Sequence, residues 1–173
     1  VEDFQLEELA LHHKRELFRC TSVSIEEYLH RLARKQNQND STRVHVYANA
    51  DGRIAGYFTL SAATLELSGL PDEIRRGRPK FPLPATLLGR FGVDTEFVGR
   101  GLGTLLLGLA LHEAYRAAKV VASAAIVLNV ADDASDRAVE LYRKHGFRAL
   151  PTKPNMIVLM MNVVRANIAA EDT

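Results

Sequence analysis

Leu87-Leu88-Gly89-Arg90-Phe91-Gly92-Val93-Asp94, followed by Val98-Gly99-Arg100-Gly101-Leu102-Gly103-Thr104, is the stretch that decides the fold. Residues 86–93 read as a strand. The strand enters a glycine-rich turn, and the turn opens a helix over residues 99–118 that is apolar on most sides. Such a helix packs against a sheet. Glycines in the turn allow positive φ and a close approach of backbone to ligand. The first N–H groups of the helix have no partner within it, and the helix dipole favours negative charge there. The product is a pyrophosphate cradle. Gly99, Gly101 and Gly103 by themselves also fit a tight turn that only starts a helix. A dinucleotide-binding turn is a rival, but Thr104 to Leu107 supplies no third glycine, and strands already precede the turn. No Lys-Ser/Thr pair follows, which excludes a Walker loop.

Upstream, Val44 to Tyr47 and Ile54 to Leu60 flank the turn Asn49-Ala50-Asp51-Gly52 and read as a β-hairpin, which residues 61–67 can extend. Ser24 and Glu27 form a capping box, and Ile25, Tyr28, Leu29, Leu32 and Ala33 continue as a helix to about Lys35. The polar stretch Gln36 to Thr42 ends it. Residues 4–20 carry no clear pattern. Leu70 to Pro84, with prolines at 71, 79, 82 and 84, reads as a loop or one short helix. Downstream, Ala124 to Val130 is a strand, and Ser135 starts a helix with Ala138, Leu141, Tyr142 and His145 inward. Gly146 stops that helix, and Met156 to Val164 reads as a final strand. The order predicts an α/β (α+β) fold with a mixed sheet and flanking helices.

The 173 residues, 47% hydrophobic and 25% charged, suffice for one globular domain with its own core. Twenty-two basic against 21 acidic residues exclude a histone-like protein but leave room for a local basic face. The one cysteine, Cys20, excludes an internal disulfide framework and a cysteine-rich zinc site; it reads as a small buried hydrophobe, and no metal is expected. The run Leu105 to Leu111 is too short to span a membrane and ends at His112 and Glu113. The beginning, VEDFQLEEL, is acidic where a signal peptide is basic. A cytoplasmic protein with no membrane partner is expected.

The glycine turn in mid-chain, together with Leu141-Tyr142-Arg143-Lys144-His145-Gly146-Phe147, resembles the GNAT acyltransferase superfamily. The usual loop, Gln/Arg-x-x-Gly-x-Gly/Ala, is matched at Gly101 and Gly103, with Val98 in place of Gln or Arg. The chain is most similar to the GNAT toxins of bacterial toxin–antitoxin pairs. That resemblance rests on Phe18-Arg19-Cys20, the helix before the polar stretch, Gly56-Tyr57-Phe58-Thr59-Leu60-Ser61, the proline-containing basic loop, Leu88 to Asp94 and the Tyr-x-x-x-Gly-Phe end. It covers about residues 18–147, with Thr21 where glycine is usual and Leu141 where Phe commonly precedes the Tyr.

The resemblance implies the GNAT fold, with a mostly antiparallel central sheet, and acetyl-CoA bound at Val98, Gly99, Arg100, Gly101, Leu102, Gly103 and Thr104. It implies that the backbone of Phe91 and Val93 pairs with the pantetheine arm, as an added strand pairs with a sheet edge. Asn129 either bonds that arm or caps its strand. Tyr142 is a core aromatic by spacing alone; with the glycine turn and Gly146-Phe147 beside it, it becomes the candidate to protonate the leaving thiolate. No general base is identified. His112 and His145 read as structural, and a water chain is the default. Arg75, Arg76, Arg78 and Lys80 form an acid-free run that is a solvated loop by composition. By resemblance it is a tRNA-binding face, with Arg90, Lys14, Arg15, Arg19, Arg31, Arg34 and Lys35 as further candidates.

The implied activity is acetylation of the α-amino group of aminoacyl-tRNA, which blocks translation. The implied partners are a ribbon-helix-helix antitoxin and a second copy in a homodimer. Two alternatives stay open at this level: a protein or small-molecule amine as acceptor, and a non-catalytic acetyl-CoA-binding module.

Overall fold

Seven strands, β1 (Gln5–Glu8), β2 (Arg43–Ala48), β3 (Ile54–Leu65), β4 (Leu83–Val93), β5 (Ala125–Asn129), β6 (Arg148–Leu150) and β7 (Lys153–Met160), form one sheet. Their order is β1-β2-β3-β4-β5-β7-β6 in the computed structural model, which describes residues 3–173 except 67, 69, 79 and 81. Every neighbouring pair is antiparallel except β4 and β5. The helices are α1 (Val23–Arg31), α2 (Ala33–Gln38), α3 (Asp72–Arg75), α4 (Leu102–Ala118), α5 (Asp136–Lys144) and α6 (Met161–Glu171).

Alternation along β3 sends Tyr57 to one face and Phe58 to the other. Tyr57 packs with Phe18, Val44, Val46 and the Ile25, Tyr28 and Leu29 side of α1. Phe58 packs with Leu106, Leu107 and Ala110 of α4, and the same cluster reaches Met161 and Val164 of α6. The close fit of α1 depends on Gly92: a Cβ there would meet Ile25 Cγ2 at 2.5 Å. That contact brings the start of α1 down onto the end of β4.

The hairpin, the short helix before β4, and the positions of β4, β5, α4 and α5 agree with the sequence reading. Leu67 and Pro79, named in that reading, lie outside the described residues. Four readings need correction. Residues 4–20 contain an edge strand, β1, paired with β2. The cap of α1 is Ser22, which accepts from Ile25 N, whereas Ser24 turns its hydroxyl to Asp133. The helix breaks at Leu32 before α2, which buries Asn37; its amide accepts from Val44 N (2.8 Å) and donates to Glu8 (3.1 Å). The predicted strand Met156 to Val164 ends at Met160, and α6 follows without an intervening loop. A mostly apolar run fits both a buried strand and a buried helix, and the bond from Met161 N to Ala124 O marks the change.

The end of β4 is tied to the N-terminal segment by Asp94, whose side chain is 0% exposed. Its carboxylate accepts from Arg19 N (2.9 Å), Glu96 N (2.9 Å) and Arg53 Nη1 (3.1 Å). Removing one member of a buried, hydrogen-bonded ion pair leaves the other partners unsatisfied. Asp94→Ala should therefore lower the unfolding free energy by about 3–5 kcal/mol in urea titrations, with Asp94→Asn between it and the parent chain. An unmoved midpoint would contradict this role.

Candidate active site

β4 and β5 pair only from Ala85 to Leu88 and from Ala125 to Leu128. Beyond that point β4 runs on to Val93 with a partner on its β3 side alone. Arg90 N donates to Thr59 Oγ1 and Asp94 N to Ala55 O, both on β3. By the alternation of an extended strand, the N–H groups of Phe91 and Val93 face the open side. Where the strands part, a cavity of about 260 Å³ opens. Phe91, Val93, Val98, Gly99, Gly103, Asn129 and Tyr142, all singled out in the sequence, line it.

At one end of this cavity α4 begins. Gly99 (φ 86°) and Gly101 (φ 77°) take the left-handed conformation, and Gly101 is the N-cap with no side-chain hydrogen bond. The amides of Leu102, Gly103 and Thr104 have no acceptor among the described residues. Gly99, Gly101, Gly103 and Thr104 border an adjoining groove whose other wall is α5. That wall brings Arg137 and Lys144, two cations not singled out in the sequence, together with Glu140, whose carboxylate is held by Arg143. Arg137 Nη1 lies 4.0 Å from where a Cβ on Gly99 would stand. Both residues share a helix face with Leu141, and their seven-residue spacing carried the signal. Free amides, a helix dipole and two cations suit a diphosphate. The side chains of Arg100 and Leu102 point elsewhere: Arg100 lies over the Phe97 ring, and Leu102 is buried in the core.

At the other end stands Tyr142, 5% exposed, with its ring edge-on to Phe91 (5.9 Å) and Phe147 (6.0 Å). No hydrogen bond engages its hydroxyl among the described residues, and because no fully buried polar side-chain atom there lacks a partner, that oxygen opens onto the cavity. Burial pushes the phenol far above its usual pKa, so it holds its proton at neutral pH. Such a group can donate a proton to a developing anion. Cys20 lines the same cavity, and burial raises its thiol too, which keeps it from being a thiolate. No His, Asp or Glu is among the described residues lining this cavity. His112 pairs with Glu171 and His145 Nδ1 with Leu141 O, both away from it.

A second, polar groove joins the first cavity at Gly89, Arg90 and Asn129. Its walls include Tyr28, Gln36, Thr59 and Asp132. Across the rim, Asp133 accepts from Ser22 Oγ (2.7 Å), Ser24 Oγ (2.9 Å) and Ser24 N (3.2 Å). The start of α1 is thereby fastened to the loop after β5.

The basic loop lies outside both cavities. Arg75 is paired with Asp72, Arg78 donates to Ile74 O (2.9 Å), and Arg76 and Lys80 are exposed. Arg15 and Arg19 are taken up by backbone carbonyls, whereas Lys14, Arg31, Arg34 and Lys35 are exposed. Of all these cations only Arg90 reaches the cavity.

Glu7, His12 and His13 bring three potential ligand atoms within 4.8 Å. His13 Nδ1 accepts from Ala10 N, so its proton sits on Nε2 and is donated to Glu7 Oε2 (3.0 Å). That ring nitrogen is occupied, and the cluster is an internal hydrogen-bonded tie.

The profile of the Acetyltransferase (GNAT) family matches residues 8–147. A tRNA-acetylating toxin of Mycobacterium tuberculosis is 32% identical over 151 residues, spanning 87% of this chain and 88% of its own. The structure of AtaT complexed with acetyl-methionyl-tRNAfMet superposes with a TM-score of 0.86 at 20% identity, covering 96% of this chain and 99% of that one. A mutant AtaT toxin bound to the C-terminus of the antitoxin AtaR and acetyl-CoA gives 0.80 at 19% identity, over 96% and 99%. No helix among the described residues is long and apolar enough to cross a membrane.

The bridge at Asp133 carries a pH signature. Hydrogen bonds from the Ser22 hydroxyl, then from Ser24 N, lower its carboxyl pKa. A depressed folded pKa contributes stability that is complete above the unfolded value of about 3.9 and is lost as pH falls through the folded one. Asp133→Asn should melt about 2–4 °C below the parent at pH 7, and the two should converge near pH 2. A pH-independent gap would show that the charge of Asp133 is not what fastens the bridge.

Proposed function

The chain belongs to the GNAT acetyltransferase family, and on that premise we propose that it moves acetyl from acetyl-CoA to the α-amino group of an aminoacyl-tRNA. The observation that carries this reading is one cavity onto which a largely buried phenol opens its hydroxyl at one end and unsatisfied helix amides face at the other. In this reading the amides of Leu102, Gly103 and Thr104, with Arg137 and Lys144, take the diphosphate of acetyl-CoA. The N–H groups of Phe91 and Val93 bond the pantetheine arm as an added strand would, and Asn129 meets it near the thioester. Val98 leaves the loop without the usual Gln or Arg, and Arg137 supplies a cation from α5 instead.

The acceptor amine enters from the polar groove and attacks the thioester carbonyl. The amine loses a proton to water, because the cavity lining offers no carboxylate or imidazole. As the C–S bond breaks, the hydroxyl of Tyr142 gives its proton to the thiolate. The exposed cations Arg76 and Lys80, with Arg75 and Arg78, follow the RNA backbone outside the cavity. The similarity to a tRNA-acetylating toxin and to AtaT supports the same acceptor here. On this reading the protein is a cytoplasmic, translation-blocking toxin, a single domain acting as a homodimer and neutralised by an antitoxin of the ribbon-helix-helix type.

Incubation with acetyl-CoA and charged tRNA, followed by mass spectrometry of the released aminoacyl-adenosine, should show an added acetyl group. Tyr142→Phe should reduce kcat by about 10²–10⁴ with acetyl-CoA affinity retained. Gly101→Glu, which places a side chain and a negative charge in the cradle, should abolish acetyl-CoA binding. Intact acetyl-CoA binding with no acetylated adenosine would overturn tRNA as the acceptor, and unchanged affinity in Gly101→Glu would overturn the cradle.

A further inference from the structure

Arg90 stands at the junction of the two cavities and lines both. Its backbone is fixed where β3 and β4 shift register, through the bond from Arg90 N to Thr59 Oγ1 (2.9 Å). Its guanidinium lies over the face of Tyr28, 4.9 Å from the ring centroid. Tyr28 is itself 5% exposed, and its hydroxyl donates to Gln36 Oε1 at 2.6 Å, so the ring is held at both ends.

The arginines at 43, 53, 116 and 143 each face a carboxylate. Asp132 and Asp133 line the same groove, Asp133 being bonded to Ser22 and Ser24, but no carboxylate pairs with Arg90 among the described residues. Stacking on an aromatic ring fixes the plane of a guanidinium while leaving its N–H donors unused. The groove side of Arg90 is therefore a pre-set anion site at the mouth of the cavity that holds Tyr142. An amine that reaches Tyr142 from this groove leaves the next part of its carrier at the junction. When the carrier is an aminoacyl nucleotide strand, the first anion beyond the ribose is a phosphodiester.

Resting on the acetyl transfer set out above, we propose that Tyr28 is a positioning residue that holds Arg90 to receive the terminal phosphodiester of the acceptor strand. The Tyr28–Arg90 pair thereby selects amines carried on RNA over amines that lack a phosphate. Arg90 meets the substrate; Tyr28 acts through Arg90.

The test compares kcat/KM for charged tRNA with kcat/KM for an aminoacyl-adenosine that carries no phosphate, using the full chain. Arg90→Ala and Tyr28→Leu should each lower the ratio of the two by about tenfold or more, mainly through KM for tRNA. Tyr28→Phe, which keeps the ring under the guanidinium, should restore the parent ratio. Tyr28→Leu added to Arg90→Ala should cause little further loss, since both remove one interaction. Arg90→Lys, which keeps charge but not the stacked plane, should fall between Arg90→Ala and the parent, and it carries the test if Tyr28→Leu does not fold. Equal losses on both acceptors, or Tyr28→Phe as defective as Tyr28→Leu, would overturn the proposal. A parent enzyme that binds acetyl-CoA but acetylates no charged tRNA overturns the acceptor reading along with it. An active parent with indifferent variants overturns this proposal alone.

Discussion

The short parallel pairing of β4 with β5 is the constraint on which the rest of the molecule depends. Hydrogen bonding holds the two strands together only over residues 85–88 and 125–128. After that β4 stays with β3, and β5 ends at Asn129 and turns toward α5. An interior strand edge without a partner carries backbone donors and acceptors that seek one. Two helices keep the gap from closing. On one face, α1 rests on Gly92 through Ile25; beyond the other strand, α5 sets Tyr142 between Phe91 and Phe147. Asp133 then ties α1 to the loop that leads into α5.

Chemistry in the gap follows from what surrounds each group. Burial of the Tyr142 side chain disfavours the phenolate, so the phenol carries its proton at neutral pH. The helix amides are unsatisfied because the N-cap is a glycine, which has no side chain to fold back on them. Charge is sorted along the same path. Arg137 and Lys144 flank the helix end on a wall shared with Glu140, the lining of the first cavity is without acids, and Arg90 waits at the entrance to a polar groove that also carries Asp132 and Asp133. Such an order suits a two-substrate reaction in which an anionic donor and an anionic acceptor carrier approach from opposite sides.

Much of this was legible in the chain because local rules and tertiary packing agree there. The hairpin at Asn49 to Gly52, the stop at Gly146 and the long apolar helix after Gly101 each follow from backbone conformation and periodicity. Phe91, Val93, Val98, Gly99, Gly103, Asn129 and Tyr142 meet at one cavity because motif spacing places them at the ends of adjoining elements. What stayed hidden depends on contacts between distant segments. Ser22 rather than Ser24 caps α1, and Asp133, more than a hundred residues away, accepts from both hydroxyls. β1 is too short and too mixed to read without its partner β2. The strand-to-helix change at Met161 lies in a stretch that is apolar from Met156 to Val164 except for Asn162, where period alone does not choose. The basic loop looked free of acids, yet Asp72 just before it folds back onto Arg75. Arg137 and Lys144 enter the site from a helix whose sequence signal pointed to its buried face.

The central claim is that the open edge of β4 is the binding edge for acetyl-CoA, and the amides of that edge report on it directly. Residue-resolved hydrogen exchange by NMR, with and without saturating acetyl-CoA, follows them one at a time. Phe91 and Val93 should gain protection on binding, whereas Arg90 and Asp94, already bonded to Thr59 and Ala55, should not change. Saturation by acetyl-CoA with Phe91 and Val93 exchanging as before would contradict the account.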